Sequence, residues 1–507
     1  MRIFFPCLIL VVAATPLLAQ KYVATNGSDA NSGAIEQPFK TIAKAISVAV
    51  PGDTIYVRGG TYLHTATISI SAAKSGIDST KRYFLFAYQS ERPLLDFSST
   101  ANGRKGLSLN ASYWHIKGLD FKGAGDNGME ISGGSYNIIE QCSFYENRDS
   151  GLQLSNGAAN NRIINCDSYF NADPSDYADA DGFAPKLTVG TGNYFYGCRA
   201  WGNVDDGWDG YMRGANNVTT TLENCWTWKN GYLKDGTDPG AQANGNGFKM
   251  GGGDNSNSDL LMHHFILKNC LAFDNKAKGF DQNNNVGSMT LWNCTGFNNQ
   301  EANFRITRTL NAGQTLVVKN SVAFTGAVDL GSFAVQEKNG WLPGFVVTAE
   351  DFLSLDPALA TAPRQADGSL PNIDFMHLAR TSDLIDAGVD LGLPFKGKAP
   401  DLGAFESDFV TAVEQKTFIA KDFRLYQNYP NPFNPSTKVE YQVPRNSLVK
   451  ISLYNVLGEE VMKLLDAEKP AGQYQLVINA QDLPGGIYFY TLRSGNFSQS
   501  KKMLLVR

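Results

Sequence analysis

Cys142-Ser143-Phe144-Tyr145-Glu146-Asn147, followed by Cys166-Asp167-Ser168-Tyr169-Phe170-Asn171, decides the fold of this 507-residue chain. The pattern is a cysteine, an aromatic three residues on, and an asparagine two further. It returns at Cys198/Trp201/Asn203, Cys225/Trp228/Asn230, Cys270/Phe273/Asn275 and Cys294/Phe297/Asn299. Looser copies flank it at Gly118/Phe121/Gly123 and Ser321/Phe324/Gly326. From first slot to last the steps are 24, 24, 32, 27, 45, 24 and 27 residues. A period in this range marks a solenoid. Short Gly- and Asn-rich repeats with apolar alternation mark stacked strands rather than helix pairs. The fold expected is all-β: a right-handed parallel β-helix with one coil per repeat.

In such a spiral, equivalent positions on successive coils stack about 4.7–4.9 Å apart. After each motif comes a second short strand that opens on glycine: Gly128-Met129-Glu130, Gly151-Leu152-Gln153, Gly182-Phe183-Ala184, Gly207-Trp208-Asp209, Gly247-Phe248-Lys249 and Gly279-Phe280-Asp281, then Asn303-Phe304-Arg305. The middle residue is apolar and faces inward, which makes Trp208 a core residue. The residue after it faces outward. The outward column therefore reads Glu130, Gln153, Ala184, Asp209, Lys249, Asp281 and Arg305. A row of ionisable groups on one sheet face is where chemistry is to be sought. The two longest steps hold insertions, one with Asp173, Asp176, Asp179 and Asp181, the other leading to Lys249. Solenoid insertions form loops, often on the binding face.

Asp181 and Asp206 both stand just before a second-strand glycine on adjacent coils, with Asp205 and Asp209 beside them. Four converging carboxylates repel one another unless a cation neutralises them. Oxygen-only ligands select a hard ion, and a flexible loop cluster suits Ca²⁺ better than Mg²⁺. The other reading is a solvated acidic turn, since Asp-Gly pairs are common in β-turns. The five histidines (His64, His115, His263, His264 and His377) have no zinc-ligand spacing. Lys249 lies one coil from Asp209. It is either a salt-bridged surface lysine or, beside a divalent cation, a proton abstractor.

Composition narrows the partners. Net charge is −5, which argues against binding nucleic acid through bulk basic charge. Residues 1–19 read as a secretory signal: Arg2, an apolar run, then Leu17-Leu18-Ala19. That run is too short for a membrane span, and no later segment is long enough. Once the signal with Cys7 is removed, six cysteines remain, all in one inward slot. Their expected Cβ spacing, near the coil repeat, is wider than a disulfide prefers, so they read as a ladder of small apolar residues. Ile42, Ala45, Ile46 and Ala49 fall at helical spacing before Pro51-Gly52-Asp53, and a helix there would cap the open end of the spiral. The period fades between Asp351 and Glu406, a stretch expected to close the coils. The domains expected are 20–406 for the β-helix, 407–422 for a linker and 423–507 for a small β-sandwich. In the last, alternating strands are expected at Val449–Tyr454, Tyr474–Ile478 and Gly486–Tyr490.

Two resemblances add to this. Asp179-Ala180-Asp181-Gly182-Phe183-Ala184, Gly197-Cys198-Arg199-Ala200-Trp201, Asp205-Asp206-Gly207-Trp208-Asp209 and Gly245-Asn246-Gly247-Phe248-Lys249 occur in this order. Together they resemble the polysaccharide lyase family 9 pectate lyases, over roughly Tyr22 to Glu406. That resemblance implies Ca²⁺ held by Asp181, Asp205, Asp206 and Asp209, and Lys249 as the Brønsted base. The reaction implied is β-elimination on pectate, giving a 4,5-unsaturated sugar. Arg305 is a candidate for pairing with a second uronate carboxylate, or else for a structural ion pair with Asp281. The C-terminal run Tyr429-Pro430-Asn431-Pro432-Phe433-Asn434-Pro435, with Leu483-Pro484-Gly485-Gly486-Ile487-Tyr488 and the basic end, is similar to type IX secretion sorting domains. It implies an extracellular or cell-surface protein, read here as a monomer without a membrane span. Alternatives are a lyase for alginate or a glycosaminoglycan, a glycoside hydrolase using two of the aspartates, and a non-catalytic adhesin.

Overall fold

The structure is a computed structural model, described over residues 20–214, 216–253, 257, 259–408, 422–481 and 483–506. The expected signal, 1–19, lies outside the described residues, as does most of the expected linker. The chain divides into two compact units, Met1–Thr411 and Ala412–Arg507.

The first unit is a right-handed parallel β-helix of three sheets with twelve, ten and ten strands. A coil near the middle runs through Arg199–Trp201 of the third sheet, Trp208–Asp209 of the second and Val218–Glu223 of the first. The next coil begins at Trp226–Trp228. The repeat motif holds the coils in register. Asn147 Nδ2 donates to Asn171 Oδ1 at 2.9 Å, and the ladder continues through Asn203, Asn230, Asn275 and Asn299 at 2.8–3.0 Å. Each amide serves a buried turn that water cannot reach, where an unpaired group is expensive. The six cysteines are buried and free, as the ladder reading expects. Asn165, Asn224, Asn269, Asn293 and Asn320, each preceding the cysteine slot, take φ of 52–54°. Asparagine tolerates that left-handed conformation better than most residues.

The inward residues of the second sheet stack as an aromatic column: Phe183, Trp208, Phe248, Phe280 and Phe304, with ring centroids 4.6–5.2 Å apart. Burial of each ring contributes about 1.5–3 kcal/mol. Helix α1, Ile42–Val48, starts at Thr41, whose Oγ1 accepts from Lys44 N at 3.1 Å. It buries Ile42, Ala45 and Ile46 against the first strands, so the expected cap is present.

One expectation needs correction. The stretch Asp351–Glu406 packs along the outer face of the third sheet; at the end of the spiral it is Trp341 that meets Phe304, at 5.0 Å. The motif aromatics face outward on that sheet and need cover. Phe375 meets Phe273 at 4.8 Å, and Phe352 meets Phe324 at 5.4 Å. Arg364 pairs with Asp167 at 2.7 Å, and Arg199 donates to the carbonyls of Ala360 and Ala362.

The second unit has two antiparallel sheets of three and four strands around Val439, Tyr441, Ile451, Leu453, Tyr490 and Leu492. Its strands include Ser447–Tyr454, Gly472–Asn479 and Gly486–Ser494 at the expected places. Ser436–Val443, Glu460–Lys469 and Phe497–Leu505 were not anticipated.

Candidate active site

The turns that lead into the second sheet place the carboxylates. Asp181 and Asp206 sit one residue ahead of Gly182 and Gly207, and each carboxylate caps the next coil. Asp206 N donates to Asp181 Oδ1 at 3.1 Å, and Asn246 N donates to Asp206 Oδ1 at 2.7 Å. Asn244 N donates to Asp205 Oδ1 at 2.8 Å. Glycine is required because the asparagine ladder presses on these turns. A Cβ on Gly207 would lie 2.0 Å from Thr227 Oγ1 and 2.9 Å from Asn230 Nδ2. The repeat asparagine and the strand-opening glycine are thus one device.

The outward column has the expected register. Glu130 pairs with Gln153, Gln153 with Ala184, Asp209 with Lys249, Lys249 with Asp281 and Asp281 with Arg305. It extends further than the sequence reading took it, to Ser108 and Ser69 at one end and Asp329 at the other.

Asp181, Asp205, Asp206 and Asp209 are all buried. Among the described residues, one oxygen from each of Asp181, Asp205 and Asp206 falls within 4.8 Å of the others. Asp209 stands beside this trio: its Oδ1 accepts from Tyr211 N at 3.0 Å and lies 3.3 Å from Lys249 Nζ. Lys249 Nζ is also 3.0 Å from Asp206 Oδ2, with its side chain 11% exposed. The carboxylates flanking the lysine are therefore Asp206 and Asp209. Asp281 instead faces Lys278 at 3.5 Å. Arg305 does not pair with Asp281; it meets Glu301 at 3.0 Å and Asp329 at 3.8 Å.

The sequence reading missed Lys186. Its Nζ lies 2.7 Å from Asp181 Oδ2 and 3.7 Å from Asp209 Oδ2, with 5% of the side chain exposed. Lys186 is two residues past Ala184, just beyond the end of the strand Phe183–Pro185, so strand alternation gives no signal for it.

Burial drives the electrostatics. It pushes the Asp181 carboxyl well up despite Lys186. It also raises Asp206, and with the neighbouring Asp206 charge it brings Asp205 to about 7. Asp209 is held below the ordinary range: burial raises it, but the Lys249 and Lys186 ammoniums outweigh that. Burial pulls Lys249 down, and Asp206 and Asp209 more than reverse it, leaving it well above its usual value. Buried carboxylates in excess of their counter-charges take up protons or a cation. Asp206 Oδ2 is buried and, apart from the Lys249 ammonium at 3.0 Å, meets no donor among the described residues, so it can also serve a cation. The all-oxygen donor set fits a hard ion. A cavity of about 1060 Å³ lies elsewhere, between Tyr22, Tyr88, Arg92 and Arg364, and none of the four aspartates lines it.

The parallel β-helix sets an ammonium on its outward column beside a carboxylate cage, and its relatives make the class a polysaccharide lyase. Residues 21–323 match the family described as Pel9A-like, right handed beta helix region. Pectate lyase L of Paenibacillus polymyxa (strain SC2) is 42% identical over 404 residues, covering 75% of this chain and 86% of that one. Pectate lyase L of Dickeya chrysanthemi is 38% identical over 397 residues, covering 76% and 90%. The crystal structure of pectate lyase Pel9A aligns with a TM-score of 0.70 at 35% identity, covering 76% of this chain and 96% of that one. A rhamnogalacturonan lyase aligns with a TM-score of 0.62 at 26% identity, covering 71% and 96%. The chain belongs to the Pel9A-like right-handed β-helix family. Residues 427–506 match the secretion system C-terminal sorting domain, which makes the protein secreted or cell-surface.

Proposed function

We propose that the protein is a calcium-dependent pectate lyase that cleaves polygalacturonate by β-elimination to 4,5-unsaturated products. The observation that carries this reading is Lys249 Nζ, 3.0 Å from Asp206 and 3.3 Å from Asp209, at the solvent edge of a buried carboxylate cage. Asp181, Asp205 and Asp206, with Asp209 alongside, are the residues that would hold Ca²⁺. When bound, calcium supplies Lewis acidity toward the uronate carboxylate, which makes the adjacent C5–H more acidic. Lys249 takes the C5 proton. The freed electron pair forms the C4=C5 double bond as the C4–O bond breaks, and the departing oxygen takes a proton from water. Lys249 holds its own proton tightly while the negative charges of Asp206 and Asp209 face it. Once these are balanced, the amine comes within reach of deprotonation, so the rate rises toward alkaline pH. Arg305, two coils along the column, is the residue we propose to meet a further uronate carboxylate.

Ultraviolet absorbance of the unsaturated product, followed on polygalacturonate with and without chelator, tests this. Activity on polygalacturonate that is lost in EDTA is the expected result. A saturated reducing sugar released in the presence of EDTA would establish a hydrolase instead. The rhamnogalacturonan lyase neighbour favours one second substrate, and rhamnogalacturonan, alginate and a glycosaminoglycan complete the panel. We assign 20–406 to catalysis, 407–422 to a linker and 423–507 to export through the type IX machinery. Export is followed by removal of the last domain, and mass spectrometry of protein recovered from the medium checks this.

A further inference from the structure

Lys186 has no part in the elimination described above, yet it is tied into the cage more fully than Lys249. Its ammonium meets Asp181 Oδ2 at 2.7 Å, the Asp179 carbonyl at 3.2 Å and Asp209 Oδ2 at 3.7 Å. It lies on the far side of Asp209 from Lys249, which faces Oδ1 of the same carboxylate. A buried ammonium is strongly unfavourable unless oxygens surround it, so this position is built rather than incidental. The Asp179–Asp181 loop bends back to supply two of those oxygens. Asp179 takes φ of 64° at that bend.

The charges set the consequence. Asp181, Asp205, Asp206 and Asp209 carry four negative charges when ionised, and Lys186 and Lys249 carry two positive ones. The balance of two negative charges equals one divalent cation. We propose that Lys186 is a built-in counter-ion: it holds Asp181 and Asp209 in place when no metal is bound, and it limits the cage to a single dication. This rests on the metal reading given under the proposed function. An ammonium this close to a dication repels it, and removing that charge therefore strengthens metal binding. A lysine that only packs, or only orients ligands, would weaken binding when lost. The two roles predict opposite signs.

The test uses the full chain, stripped with chelator and titrated calorimetrically with CaCl₂, comparing wild type, Lys186→Met and Lys186→Arg. Wild type takes one ion. K186M, which keeps bulk and loses charge, binds Ca²⁺ at least about tenfold more tightly or takes a second ion. Without Ca²⁺ it melts below wild type, and saturating Ca²⁺ closes that gap. K186R keeps the charge and behaves as wild type. If K186M folds only with Ca²⁺ present, as read by circular dichroism while chelator is added, the proposal is supported. If it stays unfolded at saturating Ca²⁺, or binds with unchanged or weaker affinity, the counter-ion role is overturned. A wild-type protein that takes up neither Ca²⁺ nor Mg²⁺ would instead bring down the metal reading itself.

Discussion

Replacing Gly207 by alanine should damage the site through the fold. The added methyl would lie 2.0 Å from Thr227 Oγ1, 2.6 Å from the Gly247 carbonyl and 2.9 Å from Asn230 Nδ2. The threonine hydroxyl can rotate away. The carbonyl belongs to the next coil, and the amide is fixed in the ladder between Asn203 and Asn275. The turn must therefore retreat by about 1 Å to regain ordinary contact. Overpacking of this kind costs about 1–3 kcal/mol, and a broken ladder hydrogen bond adds about 1 kcal/mol. The turn that moves carries Asp205 and Asp206, and the strand it feeds carries Asp209. A displacement of that size at a reacting centre costs about a hundredfold in rate. Thermal unfolding, calcium titration calorimetry and initial rates of product absorbance are to be measured together. Gly59→Ala, whose Cβ would meet nothing closer than Glu91 Cβ at 3.4 Å, is the control. G207A with wild-type melting temperature and wild-type calcium affinity would refute the idea that ladder and cage are one construction.

Two further outcomes follow from the same geometry. Asp167, clamped by Arg364 and Arg199, has its carboxyl lowered to about 2; burial alone would raise it, but the guanidiniums prevail. A depressed folded pKa contributes stability above the unfolded value near 3.8 and loses it as pH falls toward 2. Asp167→Asn should therefore cost about 2 kcal/mol at neutral pH, and the gap to wild type should shrink between pH about 4 and 2. Denaturant unfolding at a series of pH values checks this; a gap independent of pH would contradict it. Arg305→Gln should raise KM for polygalacturonate several-fold and leave kcat nearly unchanged, since it removes ground-state binding at a distance from the breaking bond. Steady-state kinetics decide, and an equal fall in kcat would place Arg305 in the chemistry instead.

Much of this was legible from periodicity. The repeat fixed the register, and the register placed Asp209, Lys249, Asp281 and Arg305 in one column, because strand alternation and coil stacking leave little freedom. Side-chain reach was not legible. Lys249 turns back to Asp206 in the preceding turn rather than along the column to Asp281, and Arg305 reaches Glu301 in the loop just before its own strand. Lys186 follows Pro185, the last residue of its strand, so the alternation that reads the column does not reach it. The segment around Phe352 and Phe375 has no period to read, and its place became clear only from the outward aromatics it covers. In the second unit, Glu460–Lys469 and Phe497–Leu505 are rich in exposed charged and polar positions, which masked their alternation.

The most direct test concerns Lys249. Lys249→Ala, assayed on polygalacturonate at saturating Ca²⁺ with calorimetric binding measured on the same sample, should retain the ion and its fold while losing at least about a thousandfold in rate. Turnover within tenfold of wild type, with calcium still bound, would contradict the account.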